Sequence, residues 1–255
     1  MRVIAVSMVK NEADIIETCV RHIAAHVDHV VVSDNGSTDG TRELLQALPC
    51  EVIDDPDPAY YQSRKMTALA HYAREHLGAD WIVPFDADEI WVPLTGQRIA
   101  DVLKSAGGFQ VAPAWLYDHV VTDADPTGVA PQRAMGHRTT ERARLHKVAA
   151  RAYPGMVIEM GNHQVTYPHR IPNVLWGALE VRHFPIRTPE QYLRKARQGA
   201  AALALTDLPE STGLHWRDWG RLADQQGSLN DAFLDHWYYR AGDPRITYDP
   251  APVLA

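Results

Sequence analysis

Three acidic residues follow directly on an apolar stretch of the chain. Residues 81–85 are apolar, and Asp86, Asp88 and Glu89 come next. An apolar run bounded by polar residues predicts a buried strand, and α/β sheets bind ligands at the carboxyl ends of strands. Carboxylates in an Asp-x-Asp pair suit Mg²⁺ or Mn²⁺, which keep coordination sites open for water and phosphate oxygens. The alternative is that Asp86 and Asp88 only stabilise a turn, where aspartate is common.

Strands and helices alternate in the sequence that leads to these acids. Apolar and β-branched runs predict strands at residues 3–9, 29–33, 51–54 and 81–85. Helical spacing of apolar residues predicts helices at residues 15–23, 41–48 and 61–77. This alternation predicts an α/β fold with a mostly parallel sheet. Functional side chains are then expected at the C-terminal strand ends.

The second half of the chain is less regular. Further strands are predicted at residues 107–117, 156–159 and 179–184, whereas residues 118–142 predict a loop because Pro and Gly interrupt them. A helix is predicted at residues 189–205, since Thr188 can cap it and Pro189 suits its first position. Residues 206–255 are rich in Trp and Tyr, which are expected to pack or to stack on an acceptor.

The composition of the chain excludes several classes of function. Of the 255 residues, 45% are hydrophobic and 22% are charged, as in a folded globular protein. The net charge of -7 provides no basic field to hold nucleic acid. Cys19 and Cys50, the only cysteines, predict reduced thiols and a cytoplasmic location. No transmembrane segment is predicted, so any membrane contact is expected to be peripheral.

Three motifs occur in an order that resembles the family 2-like glycosyltransferases with a GT-A fold. The resemblance is to the small bacterial branch of that family and covers roughly the first 92 residues. It continues through residues 161–163 and 183–187. The motifs are Lys10-Asn11-Glu12, the run Asp34-Asn35-Gly36-Ser37-Thr38-Asp39-Gly40-Thr41, and Phe85-Asp86-Ala87-Asp88-Glu89.

This resemblance implies the transfer of a sugar from a nucleotide-diphosphate sugar to an acceptor hydroxyl, with Mn²⁺ or Mg²⁺ at the Asp-x-Asp motif. The acceptor would be a carbohydrate, a lipid-linked molecule or a protein. A GT-A domain is expected at residues 1–205, with the nucleotide-sugar half at 1–92 and the acceptor and metal-completing half at 93–205. Residues 206–255 are expected to form a helical extension.

The same resemblance, together with the value of cationic side chains near a diphosphate, gives a set of expected donor-site residues. The alternative for each cation is a solvated helix face. The set is Val6, Lys10, Asn11, Glu12, Asp34, Asn35, Ser37, Arg64, Lys65, Asp86, Ala87, Asp88, Arg187 and Lys195.

His183 is the expected third metal ligand beside Asp86 and Asp88, because it ends a short strand and resembles the C-terminal metal histidine of several GT-A enzymes. The alternative is a core histidine bonded to backbone. An inverting transfer would also require a general base for the acceptor hydroxyl, and a retaining transfer is the alternative. The residue types that fit are His163, Glu89, Glu159 and Asp118, and His163 is favoured by chemical type alone. The alternative role for His163 is that of a metal ligand.

Two rival functions use related chemistry. A nucleotidyltransferase would need a Gly-rich phosphate loop after the first strand, and residues 8–12 contain no glycine. An inactive nucleotide-binding partner subunit would have lost its catalytic side chains. The presence of Asp86, Asp88, His163 and His183 counts against that loss.

Overall fold

Short runs rich in Val and Ile form the centre of one large sheet. The structure, a computed structural model, describes residues 1–253. The strands are Val3–Val9 (β1), His29–Asp34 (β2), Glu51–Asp54 (β3), Trp81–Pro84 (β4), Glu89–Pro93 (β5), Val111–Thr122 (β6), His137–Thr139 (β7), His146–Arg151 (β8), Val157–Ile158 (β9), Val165–Thr166 (β10), Leu179–His183 (β11), Tyr238–Tyr239 (β12) and Ile246–Tyr248 (β13). The helices are Ile16–His26 (α1), Thr41–Gln46 (α2), Gln62–Leu77 (α3), Ile99–Lys104 (α4), Pro131–Ala134 (α5), Pro189–Ala204 (α6), Leu214–Gln226 (α7) and Asn230–His236 (α8).

The strand order confirms the predicted α/β class. The main path runs β13-β7-β6-β8-β4-β1-β2-β3. Strand β1 pairs in parallel with β2 and β4, and β2 pairs in parallel with β3. The later strands add antiparallel pairs, β4 with β8 and β5 with β11, while β11 runs parallel to β6. The carboxyl ends of β1, β2 and β4 therefore meet at one edge.

Alternation along β1 divides the core into two layers. Val3 and Ala5 pack with the buried residues of α1 and α4, whereas Ile4 and Val6 pack with those of α3. Both faces are covered by helices, which is why β1 is apolar almost throughout. Val6, an expected donor-site residue, is fully buried in this core.

Residues 118–142 are more ordered than predicted, so the prediction of a loop is wrong for about half of this segment. Strand β6 continues to Thr122, and α5 and β7 follow it. Strand β8, which pairs with both β4 and β6, was not predicted. This strand begins with His146 and Lys147, and a lysine inside a central strand hides the apolar pattern that predicts strands.

The C-terminal residues pack on α6 and return to the sheet. Helices α6 and α7 approach closely, since a Cβ atom on Gly220 would lie 2.3 Å from the Cβ atom of Ala200. Strand β12 pairs with β6, and β13 pairs with β7. Among residues 1–253, no helix has the length and apolar character that a membrane span requires.

Candidate active site

A cavity of about 760 Å³ opens at the C-terminal ends of the parallel strands. Charged and polar side chains from both halves of the chain line it, together with aromatic rings from α7 and from the residue after α8. The lining includes Lys10, Glu12, Asn35, Asp86, Ala87, Asp88, Asp118, Lys147, His163, His183, Lys195, Trp216, Trp219 and Trp237.

The turn after β4 that carries Asp86 and Asp88 is held by Glu89. The Glu89 carboxylate accepts hydrogen bonds from the backbone N–H of Asp86 at 3.1 Å and from Nε1 of Trp91 at 3.4 Å. Glu89 is only 1% exposed. Burial raises the pKa of Glu89 to about 7, although the neighbouring charge of Lys147 opposes that shift. Glu89 is therefore enclosed beneath the turn and does not line the cavity.

Lys147 neutralises the acids on one side of this turn. Its Nζ lies 2.5 Å from Oδ2 of Asp86 and 2.7 Å from Oε1 of Glu89, and it donates to the carbonyl of Gly161 at 2.9 Å. The residue is 4% exposed. Burial alone would lower the pKa of Lys147, but Asp86 and Glu89 raise it well above its ordinary value. Lys147 was not among the predicted site residues. Its position directly before the apolar run 148–150 could have indicated a buried lysine, which is rare unless the lysine is paired with an acid.

The segment Gly161-Asn162-His163 forms a second wall around Asp86. The Asn162 side-chain amide donates to Oδ1 of Asp86 at 3.0 Å, and Asn162 itself is fully buried with φ at 58°. Gly161 has φ at 73°, and a Cβ atom there would lie 2.4 Å from the His163 ring. Glycine is required for both reasons.

His163 presents one ring nitrogen to the cavity as a hydrogen-bond acceptor. Its Nδ1 donates to the carbonyl of His146 at 2.7 Å, which assigns the ring proton to that nitrogen. Burial, and then the charge of Lys147, lowers the pKa of His163 from 6.5. The imidazole is therefore neutral near pH 7, and its Nε2 can accept a proton.

Asp88 lies among cationic groups on the other side of the turn. Its Oδ2 is 2.5 Å from Nζ of Lys195, and its Oδ1 faces Nε2 of His183 at 3.7 Å. Burial alone would raise the pKa of Asp88, but Lys195, His183 and Arg187 together hold it well below its usual range. His183 in turn donates from Nδ1 to Asp118 at 2.7 Å.

Arg187 connects the N-terminal motif to the strand end that precedes α6. Its guanidinium contacts Asp14 at 2.7 and 2.9 Å and Glu12 at 2.5 Å, and it donates to the carbonyl of Phe184 at 2.9 Å. The Arg187 side chain is 1% exposed. Arg187 therefore lies behind Asp88, at 4.0 Å, and holds the wall of the cavity in place.

Several other expected site residues lie outside the lining of the cavity. Asn11 bridges Thr38 and Gln198, Asp34 accepts from the backbone of Ser37, and Lys65 pairs with Asp55. Those outside the lining are Val6, Asn11, Asp34, Ser37, Arg64, Lys65, Arg187, Glu89 and Glu159. Arg64 pairs with Asp57, and Glu159 accepts from Thr166 in the hairpin of β9 and β10.

A divalent ion fits only one part of this acid cluster. Among residues 1–253, no group of three or more His, Cys, Asp or Glu side chains is arranged to hold an ion by itself. Both carboxylate oxygens of Asp86 are engaged, by Lys147 and by Asn162. Oδ1 of Asp88 and Nε2 of His183 face each other beyond hydrogen-bond distance and could share an ion. Substrate oxygens and water would have to supply the remaining ligands, as is usual for Mg²⁺.

Comparison with solved structures gives partial likenesses. Glucosyl-3-phosphoglycerate synthase from Mycobacterium tuberculosis, solved with Mn²⁺, uridine diphosphate and phosphoglyceric acid, is 20% identical, with 45% of this chain and 43% of that chain covered and a TM-score of 0.31. Residues 1–349 of TarS from S. aureus are 16% identical, with 86% of this chain and 69% of that chain covered and a TM-score of 0.41. This chain therefore spans less than half of the first of these proteins.

Comparison with curated proteins gives no match. The sequence profile described as "Glycosyl transferase family 2" matches residues 5–158, which is more than half of the chain. The matched span includes most of β1, all of β2, β3 and β4, the turn with Asp86 and Asp88, and Lys147. The chain therefore belongs to glycosyl transferase family 2.

Proposed function

We propose that this chain transfers a sugar from a nucleoside-diphosphate sugar to an acceptor hydroxyl. The observation that carries the proposal is that Oδ1 of Asp88 and Nε2 of His183 face each other at 3.7 Å inside a cavity at the strand ends. Family membership supports the same chemistry. The acidic net charge does not prevent binding of an anionic donor, because Lys10 and Lys195 supply local positive charge in the cavity.

The donor diphosphate is proposed to lie between Asp88 and the cations of the cavity. Asp88 and His183 would hold Mn²⁺ or Mg²⁺, and Asp118 would orient the His183 ring through its hydrogen bond to Nδ1. When bound, the ion supplies Lewis-acid stabilisation of the negative charge on the leaving diphosphate. Lys10 has no acidic partner among the described residues and is proposed to contact the phosphates directly.

His163 is proposed as the general base. As the acceptor oxygen bonds to the sugar C1 atom, the bond from C1 to the phosphate oxygen breaks and its electron pair leaves with the diphosphate. The acceptor proton passes to Nε2 of His163. Three other residues were candidates by type, but Glu89 is enclosed, Glu159 lies outside the cavity, and Asp118 is bonded to His183.

A screen of nucleotide sugars for hydrolysis in the presence of Mn²⁺ tests the function. Transfer to water needs no knowledge of the acceptor, so we expect one donor to release nucleoside diphosphate faster than the rest. Calorimetric binding of a nucleoside diphosphate without any turnover would instead favour an inactive partner subunit. Release of pyrophosphate from a nucleoside triphosphate and a sugar phosphate would identify a nucleotidyltransferase.

Replacing His163 with glutamine is expected to lower kcat for transfer by about 10²-fold, the size typical of a lost general base. Donor affinity should change little, because Asp88, His183 and Lys195 remain. For the wild type, kcat should fall as the pH drops through the pKa of His163, which lies below 6.5 because of burial and Lys147. Steady-state kinetics across pH would show this acid limb, and the limb should be absent from His163→Gln. An unchanged limb in the variant would contradict the assignment.

A further inference from the structure

Two tryptophans form a stacked pair on the surface of the protein. The rings of Trp115 and Trp176 lie 4.5 Å apart at an interplanar angle of 25°. The guanidinium of Arg142 lies 3.6 Å over Trp115, and His146 packs edge-on against both rings. We name these four residues, Trp115, Arg142, His146 and Trp176, the tryptophan platform. Trp176 is 47% exposed, whereas Trp115 is partly buried, so the outer face of Trp176 is the ring surface open to a ligand.

The backbone of the sheet holds the tryptophan platform in place. Trp115 in β6 is directly opposite His146 in β8, so the two side chains share one face of the sheet. Next to Trp176, the backbone N–H of Leu175 donates to the carbonyl of Val111 at 2.8 Å. The flat surface is therefore formed before any ligand arrives, which lowers the entropy cost of binding.

The platform begins beside the cavity. Ala143, Arg144 and Leu145 line the cavity, while Arg142 and His146 on either side of them belong to the platform. The carbonyl of His146 also accepts the hydrogen bond from Nδ1 of His163 at 2.7 Å. A molecule whose reacting hydroxyl lies at His163 could thus extend past Arg144 onto the exposed ring of Trp176.

We propose that the tryptophan platform binds a pyranose ring of a carbohydrate acceptor. The inference rests on the proposed function, since it assigns the acceptor class for the same cavity. A pyranose presents a flat face of C–H groups that packs on the electron-rich face of an indole. Hydroxyl groups need donors at the edge of such a face, and Arg142 and Arg144 have no acidic partner among the described residues.

The surroundings disfavour a nucleobase in this position. Stacking proteins that bind single-stranded nucleic acid combine their aromatic rings with a basic groove. Here the net charge is -7. Glu180, which is opposite Trp115 in the neighbouring strand β11 and pairs with Arg182 at 3.2 Å, places an acid beside the platform. Neutral sugar hydroxyls fit this mixture of aromatic rings, guanidinium groups and nearby acid better than a phosphate backbone does.

Saturation-transfer NMR with cellohexaose, chitohexaose and maltohexaose tests the platform directly and needs no donor. We expect at least one of these oligosaccharides to receive saturation from the protein. Trp176→Ala should weaken that binding about tenfold, the size of one lost aromatic stacking contact. Ile171→Ala is the matched control, because Ile171 is 95% exposed and aliphatic and lies in the same segment before β11. It should bind as the wild type does, and thermal unfolding should show all variants folded.

Absence of saturation transfer to all three oligosaccharides, or equal binding by Trp176→Ala and wild type, would overturn the proposal. Binding to phosphatidylglycerol vesicles that both Trp176→Ala and Ile171→Ala lose would overturn it in favour of a lipid surface. Donor hydrolysis in the absence of acceptor reports separately on the proposed function. A protein that hydrolyses a donor but binds none of these sugars at Trp176 would therefore refute only the platform.

Discussion

Asp88→Asn is expected to reduce kcat/KM for donor hydrolysis by about 10³-fold, because it removes charge stabilisation at the leaving diphosphate. Asparagine keeps the shape of the side chain but loses the carboxylate that faces His183 at 3.7 Å. It also leaves Lys195 and Arg187 with less negative charge beside them. The specific readout is calorimetric affinity for a nucleoside diphosphate with and without Mn²⁺, and the increase caused by Mn²⁺ should disappear in the variant.

Asp14→Asn provides a matched control for this experiment. Asp14 is also an aspartate that pairs with Arg187, at 2.7 Å, but it does not line the cavity. Each variant removes a carboxylate charge beside Arg187, so both are expected to lose some stability. Only Asp88→Asn should lose the effect of Mn²⁺ on binding. If Mn²⁺ still raised the affinity of Asp88→Asn as much as that of the wild type, Asp88 would not be a metal ligand.

The first half of the fold could be predicted because its signals are local. The valine- and isoleucine-rich strands and the acids that follow β4 are contiguous in sequence, and Asp86 and Asp88 do lie at a strand end in the cavity. The partners of these acids could not be predicted in the same way. Lys147 and Asn162 reach Asp86 across 61 and 76 residues of sequence, and no periodicity records which distant side chains meet.

The N-terminal motif shows the same limit for Glu12 and Arg187. Both residues were predicted to lie at the donor site, Glu12 from the resemblance and Arg187 as a cation suited to a diphosphate. In the structure their side chains pair with each other, and Arg187 also holds Asp14. The two motifs thus depend on one another across 175 residues of sequence. Glu12 also lines the cavity, so its pairing with Arg187 is compatible with a place beside the donor, whereas Arg187 lies outside the lining.

Among the substitutions proposed for this protein, Lys147→Met is expected to cause the largest loss of stability. The free energy of unfolding should fall by about 3–5 kcal/mol, because the substitution breaks a buried ion-pair cluster. Methionine fills much of the same volume but leaves Asp86 and Glu89 together without their shared cation. Chemical denaturation would measure the loss. Lys104→Met is the matched control, since Lys104 is partly exposed and pairs with Asp28 at 2.8 Å. An exposed pair of that kind should cost about 1 kcal/mol or less.

The loss caused by Lys147→Met should also depend on pH in a definite direction. Glu89 has a pKa of about 7 in the folded protein and an ordinary value of 4.5, so between these pH values the folded state binds more protons than the unfolded state. Stability therefore falls as the pH rises through this window. Because Lys147 opposes the upward shift, its removal should raise the pKa of Glu89 further. The loss in free energy of unfolding caused by the substitution should then be larger at about pH 8 than at about pH 5, where a protonated Glu89 carries no charge. An equal penalty at both pH values would show that the Glu89 charge is not what Lys147 compensates.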